Sequence, residues 1–149
     1  MKTKHIFALR GPANAGKSTT IGKIFMLLKE AYPAAKIQII NPNQAEITVT
    51  VNVEITLTIE INGKIVGIES QGDPNSRLAD SIALFKKTDC SIIVCATRTR
   101  GSTVDMLENL HSEFTLNWHH TAPQPQAALQ NQHDDARAQT IFRQIQKIL

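Results

Sequence analysis

The sequence predicts a three-layer α/β fold, with a mostly parallel sheet and one antiparallel β-hairpin. Three observations lead there. Ile6-Phe7-Ala8-Leu9 runs into Gly11-Pro12-Ala13-Asn14-Ala15-Gly16-Lys17-Ser18, and Ile21, Ile24, Phe25 and Leu28 follow at helical spacing. That is strand, glycine loop and helix in succession. From 47 to 61 every odd residue is apolar and every even one polar, and Asn62-Gly63 follows, a strong hairpin signal. Ile92-Ile93-Val94-Cys95-Ala96 is continuously apolar, as in a central strand covered on both faces. Strands alternating with helices place the chain in the α/β class.

In chain order, the first strand is predicted over residues 4–9 and the first helix over 17–31. Tyr32-Pro33 stops that helix, because a residue before proline is pushed out of helical geometry. A short strand over 36–40 closes at Asn41-Pro42-Asn43. The alternating segment 47–61 would span about 50 Å as one strand, long for a small domain, so a turn near Asn52 is an alternative. A three-residue loop or a bulge there keeps the odd–even phase. Its alternation predicts one buried and one solvated face. The return strand covers 64–69. Gly72-Asp73-Pro74-Asn75-Ser76 has strong turn chemistry, and Asn75 or Ser76 is suited to cap a helix through Leu78, Ala79, Ile82 and Phe85. After the apolar strand 91–96, Ser102-Thr103-Val104-Asp105 reads as a capping box, with Val104, Leu107, Leu110 and Phe114 facing inward. Residues 115–119 read as a last strand. Residues 121–133, rich in Pro, Gln and Ala, read as a loop. A terminal helix over 134–149 starts at Asp134 or Asp135, with Ile141, Phe142, Ile145, Ile148 and Leu149 on one face.

The 149 residues set one domain as the default, and 42% hydrophobic with 19% charged residues suits a globular core. A net charge of +3 is too small to argue for nucleic acid, and one Trp and one Tyr leave base-stacking platforms scarce. Cys90 and Cys95 have an odd spacing in a strand, which sends them to opposite faces and prevents their pairing. Reduced thiols fit a cytoplasmic setting. The apolar run before Arg10 is short for a secretory signal. No stretch approaches the roughly 20 residues of a membrane span, so no membrane partner is expected.

The glycine loop carries the chemistry. Gly11-Pro12-Ala13-Asn14-Ala15-Gly16-Lys17-Ser18 matches G-x-x-x-x-G-K-[ST]. Glycines let successive N–H groups converge on a phosphate, and the helix after Gly16 adds the positive end of its dipole. Lys17 supplies a point charge for the β- and γ-phosphates. Ser18, with Thr19 beside it, offers a hydroxyl to Mg²⁺, which prefers oxygen ligands.

These residues resemble the P-loop NTPase superfamily, whose fold matches the element order above. The resemblance is strong over 4–31 and looser to about 114. The hairpin followed by Glu69-Ser70-Gln71-Gly72 is similar to the small-GTPase arrangement, in which that stretch reads D-x-x-G. The resemblance implies Glu69 as a Mg²⁺ ligand through water, the Gly72 N–H facing the γ-phosphate, and Asp73 near the attacking water. Two departures stand out. Glu replaces Asp at residue 69, and the guanine-reading N-K-x-D is missing, which tilts the expected nucleotide toward ATP over GTP. Small-molecule and nucleotide kinases are also similar in running strand, P-loop and helix, and they clamp the phosphoryl group with arginines. Arg98 and Arg100 follow a central strand at the end where open α/β sheets bind ligands.

Three functions follow as expectations: Mg²⁺-dependent hydrolysis of ATP or GTP, phosphoryl transfer to a small acceptor, or a non-catalytic module whose nucleotide state governs docking of a protein partner or a second copy. His119, His120 and His133 lack metal-ligand spacing, and Cys95 reads as a small core residue.

Overall fold

The structure, a computed structural model, describes residues 4–13, 15–40, 55–71 and 77–149. The part of the alternating segment before residue 55 lies outside them. So do the Asn41-Pro42-Asn43 stop, the Gly72–Ser76 loop with its candidate caps, and Asn14.

The elements are β1 (His5–Arg10), α1 (Lys17–Ala31), β2 (Lys36–Ile39), β3 (Thr56–Ile61), β4 (Lys64–Glu69), α2 (Leu78–Lys87), β5 (Ile92–Thr97), α3 (Ser102–Glu108), β6 (Thr115–His120) and α4 (Ala127–Gln146). Among the described residues they form an α/β fold on one six-stranded mixed sheet, ordered β2-β3-β4-β5-β1-β6. β4, β5, β1 and β6 run parallel, and β3 is antiparallel to both β2 and β4. The strand that opens the glycine loop therefore lies between β5 and β6, and β5 separates it from the hairpin strand β4.

Strand alternation divides the core in two. Phe7 and Leu9 of β1, Val94 and Ala96 of β5, and Val66 and Ile68 of β4 pack with Ile21, Ile24, Phe25 and Leu28 of α1 and with Ala138, Ile141 and Ile145 of α4. Ile6, Ala8, Ile93 and Cys95 face the other way, onto Leu78, Ile82 and Phe85 of α2 and Leu107 of α3. All six residues of β5 are buried, as a strand covered on both faces requires. The hairpin turns at Asn62 (φ 53°) and Gly63 (φ 79°), the pair of positive φ values that Asn-Gly tolerates best.

Four details differ from the sequence expectation. The even residues of β3 are not all solvated: Thr56 and Thr58 are buried, and only Glu60 is exposed. Thr56 is buried because its hydroxyl donates to Glu69 Oε1 (2.7 Å). α2 is preceded at its N-cap by Arg77. The capping box at 102–105 does not form: Gly101 is the N-cap of α3, and the Thr103 hydroxyl instead accepts the Arg98 N–H. The terminal helix begins at Ala127, not at 134, so most of the segment expected to be a loop, 121–133, is helical. Ala127-Ala128-Leu129-Gln130 are strong helix formers, and the prolines 123 and 125 precede the helix rather than interrupt it. α4 lies along α1, joined by Lys23 to Asn131 (2.8 Å) and to Asp135. Its apolar face, Ile141 and Ile145 above all, is spent on the core.

At Gly67 the sheet comes close to Phe85 of α2. A Cβ there would lie 2.6–2.8 Å from Phe85 ring atoms. Gly67→Ala is expected to cost about 1–3 kcal/mol by overpacking, read by urea denaturation. Combining it with Phe85→Leu should recover part of that loss. At the other end of the sheet, His119 stacks on Phe7 (6.5 Å between rings) and its Nε2 lies 3.1 Å from Gln144 Oε1 of α4. Burial, the leading cause, holds its pKa below the ordinary 6.5, against the opposing effect of the Gln144 bond. The unfolded chain therefore binds this proton more readily. The resulting stability is complete above pH 6.5 and declines as pH falls below it. His119→Gln should flatten the acid limb of the Tm-against-pH curve relative to the parent protein.

Candidate phosphate-binding site

Four parallel strands bring their C-terminal ends to one edge of the sheet, and the loops that leave this edge carry the candidate residues. The loop from 11 to 16 leaves β1, Ser70 and Gln71 leave β4, Arg98 and Arg100 leave β5, and Thr121 leaves β6. Open α/β sheets bind ligands at such an edge.

Lys17 opens α1 and is 8% exposed. Its side chain folds back over the loop, so that Nζ donates to the Gly11 carbonyl and to the Thr97 carbonyl (2.8 Å). The Gly11 N–H donates to the same Thr97 oxygen (3.2 Å). Gly16, the N-cap of α1, has φ 79°, a left-handed conformation that glycine adopts without strain. Its carbonyl accepts both the Thr20 N–H (2.9 Å) and the Thr20 hydroxyl (2.7 Å), starting the helix. Pro12 and Ala13 are exposed, Ala15 is buried, and Ser18 and Thr19 are half-buried.

Packing requires glycine at 11, where backbone lies opposite, and crowds a side chain at 16. A Cβ on Gly11 would lie 2.1 Å from Thr121 Oγ1 and 2.6 Å from its carbonyl oxygen. A Cβ on Gly16 would lie 2.2 Å from Asp134 Oδ1 and 2.7 Å from Gln130 Nε2. Asp134 is 2% exposed and accepts from Gln130 Nε2 (2.8 Å) and Arg137 (3.4 Å). The β6–α4 segment thus walls the loop. Nothing in the sequence signals this, because Asp134 sits in a polar stretch and its burial depends on contacts with Gly16, Gln130 and Arg137.

Glu69 is placed differently from the expected metal ligand. It points to the α2 side of the sheet, as Gly67 does, and is fully buried. Its oxygens accept from Thr56, Ser81, the Gln71 N–H (3.0 Å) and Arg77 Nε (3.0 and 3.2 Å). The group that β4 brings to Ser18 is a backbone one: Ser18 Oγ lies 3.3 Å from the Ser70 carbonyl. Ser70 in turn pairs with Ile55 through its N–H (3.0 Å) and its hydroxyl (2.7 Å). Gly72 and Asp73 lie outside the described residues, as Asn14 does.

Arg98 is half-buried and Arg100 exposed, both on the loop that Thr97 ties to the glycine turn. Arg10, Ser70, Arg77, Thr121, Gln130 and Asp134 are not site candidates in the sequence reading, which gives Asp134 only as a possible helix start, since their contacts at this edge are long-range. The two cysteines are buried and unpaired, and burial raises the Cys90 thiol to about 12 and the Cys95 thiol further, so neither is a nucleophile near neutral pH. No helix among the described residues is long and apolar enough to cross a membrane.

No protein-family model, curated protein or solved structure matches this chain.

The Glu69 cluster holds the strand end together. Glu69→Ala would leave Arg77 and three other donors without their acceptor, and should cost about 3 kcal/mol, read as a lower urea midpoint. A loss under about 1 kcal/mol, the range of exposed ion pairs, would contradict this assignment.

Proposed function

We propose that the chain is a P-loop nucleoside triphosphatase that binds Mg²⁺ with ATP or GTP on residues 11–19. The observation that carries this reading is the Lys17 ammonium, held inside the bend of its own motif by the Gly11 and Thr97 carbonyls. A positive charge fixed there, next to the N-terminus of a 15-residue helix, suits a polyphosphate. The residues present fit the group. Lys17 and the loop amides would hold the phosphates, and Ser18, with Thr19 beside it, would offer hydroxyl oxygen to Mg²⁺. The cation, when bound, would neutralise charge on the β- and γ-oxygens.

The chain's own residues supply position and field. Lys17 orients the phosphates, and Arg98 and Arg100 stabilise charge that develops on the transferred group. Asp73, with Gly72 beside it, remains the sequence's candidate for orienting water. Glu69 enters through the strand end it fixes, next to the Ser70 carbonyl that meets Ser18. ATP is favoured over GTP because no N-K-x-D follows β5. A second reading, transfer to a small acceptor, draws on the two arginines that leave β5 at the ligand-binding edge. In the non-catalytic alternative, a nucleotide-dependent docking module, α4 is not the docking face, since its apolar side is buried in the core.

Thermal unfolding with and without Mg²⁺, ATP and GTP tests this. A nucleotide at about 100 times its Kd adds about 2.7 kcal/mol of stability, which Lys17→Ala and Ser18→Ala should reduce. Phosphate release that depends on Mg²⁺ and Lys17 supports hydrolysis. An unchanged Tm with every nucleotide would overturn the assignment.

A further inference from the structure

Arg10 is the last residue of β1 and directly precedes Gly11. Its guanidinium is held in two ways. Nε donates to the Thr99 carbonyl (2.6 Å), and Cζ lies 5.2 Å from the centroid of the Trp118 ring on β6. A guanidinium over an aromatic ring is attracted to its face, which holds the fork beside Trp118. These contacts use one N–H and one face, and among the described residues neither Nη group has a hydrogen-bond acceptor. A rigid, half-buried fork with open donors is suited to a paired acceptor.

The fork's location says which part of a ligand it meets. Ser18 lies against Ser70, at the end of β4, whereas Trp118 lies on β6. The strand order β4-β5-β1-β6 puts these on opposite flanks of β1. A ligand that runs from Ser18 across the C-terminal end of β1 meets the Arg10 fork on the β6 flank.

We propose that Arg10 is a ligand-binding residue of the same site, its Nη groups taking a paired-acceptor edge of the nucleotide on the β6 flank. This rests on the phosphate-binding reading above. The acceptor is either the oxygens of the phosphate chain beyond the Lys17 position or the O6/N7 edge of a 6-oxopurine, which matches an arginine fork.

The test uses Trp118, the single tryptophan of the chain, as its reporter. The parent protein, Arg10→Ala and Arg10→Lys are titrated with inorganic tripolyphosphate, ATP and GTP in Mg²⁺, following tryptophan emission and, in parallel, heat. The expected result is a change in Trp118 emission for the parent and an affinity loss of about tenfold or more in both variants. A loss shared by tripolyphosphate assigns the contact to phosphate oxygens, and a loss confined to GTP assigns it to the base edge. Affinities within about twofold of the parent for all three ligands, with only Tm lowered, would overturn the proposal and leave Arg10 as a loop tie. Failure of the parent itself to bind any of the three would instead remove the phosphate-binding reading beneath it.

Discussion

One backbone oxygen organises the edge of the sheet where its four parallel strands end. The Thr97 carbonyl accepts the N–H of Gly11 and the ammonium of Lys17, so β1, α1 and β5 meet at a single acceptor. The rest of the edge follows from that junction. Lys17 reaches it by folding back over its own loop, where it also meets the Gly11 carbonyl. The chain beyond Thr97 is then held beside the loop, and Arg10 pins it a second time at Thr99. A lysine side chain otherwise loses about 2 kcal/mol of rotamer entropy on being ordered. Here that ordering occurs during folding, so a ligand taken at this position would not have to supply it, the general advantage of preorganisation.

The second constraint is steric. The glycines at 11 and 16 are usually read as freedom for the loop to curl around phosphate. In this molecule each also makes room for a neighbour, Thr121 against Gly11 and Asp134 against Gly16. The glycine pattern alone therefore does not separate phosphate binding from docking of the C-terminal segment. Lys17 and Ser18 are set instead by hydrogen bonds, to the Gly11 and Thr97 carbonyls and to the Ser70 carbonyl. Asp134 adds an acidic wall to the loop, and Gln130 and Arg137 satisfy it within its own helix.

Local signals made much of the fold legible. The boundaries of α1 and β4 agree with the sequence reading because Pro33 and Asn62-Gly63 are strong local punctuation. β5 was legible as a buried central strand, although its end falls one residue later. What local signals could not supply was pairing. The glycine-loop strand, apart from β4 and between β5 and β6, is set by long-range contacts, and so is the direction of the Glu69 side chain. Alternation made Glu69 a strand-end carboxylate, but the face it takes depends on Arg77, Ser81 and Thr56, distant in sequence or in a different element. The early start of α4 was missed because glutamine and alanine near prolines look like linker, although the same residues favour helix once the prolines lie outside it. Gly11, Gly16, Lys17 and Ser18 were legible as a motif, while the Thr121 and Asp134 walls, contributed by residues more than 100 positions away, were not.

The reading proposed for this protein puts a polyphosphate on the loop that leads from Gly11 into Lys17. Amide chemical-shift mapping by NMR during titration with Mg²⁺ and a nucleoside triphosphate tests it most directly. If polyphosphate binds there, the largest shifts fall on the amides of residues 13–19, with smaller ones at Thr97 and Thr99. Saturable shifts centred elsewhere on the sheet, with the loop amides unmoved, would contradict it.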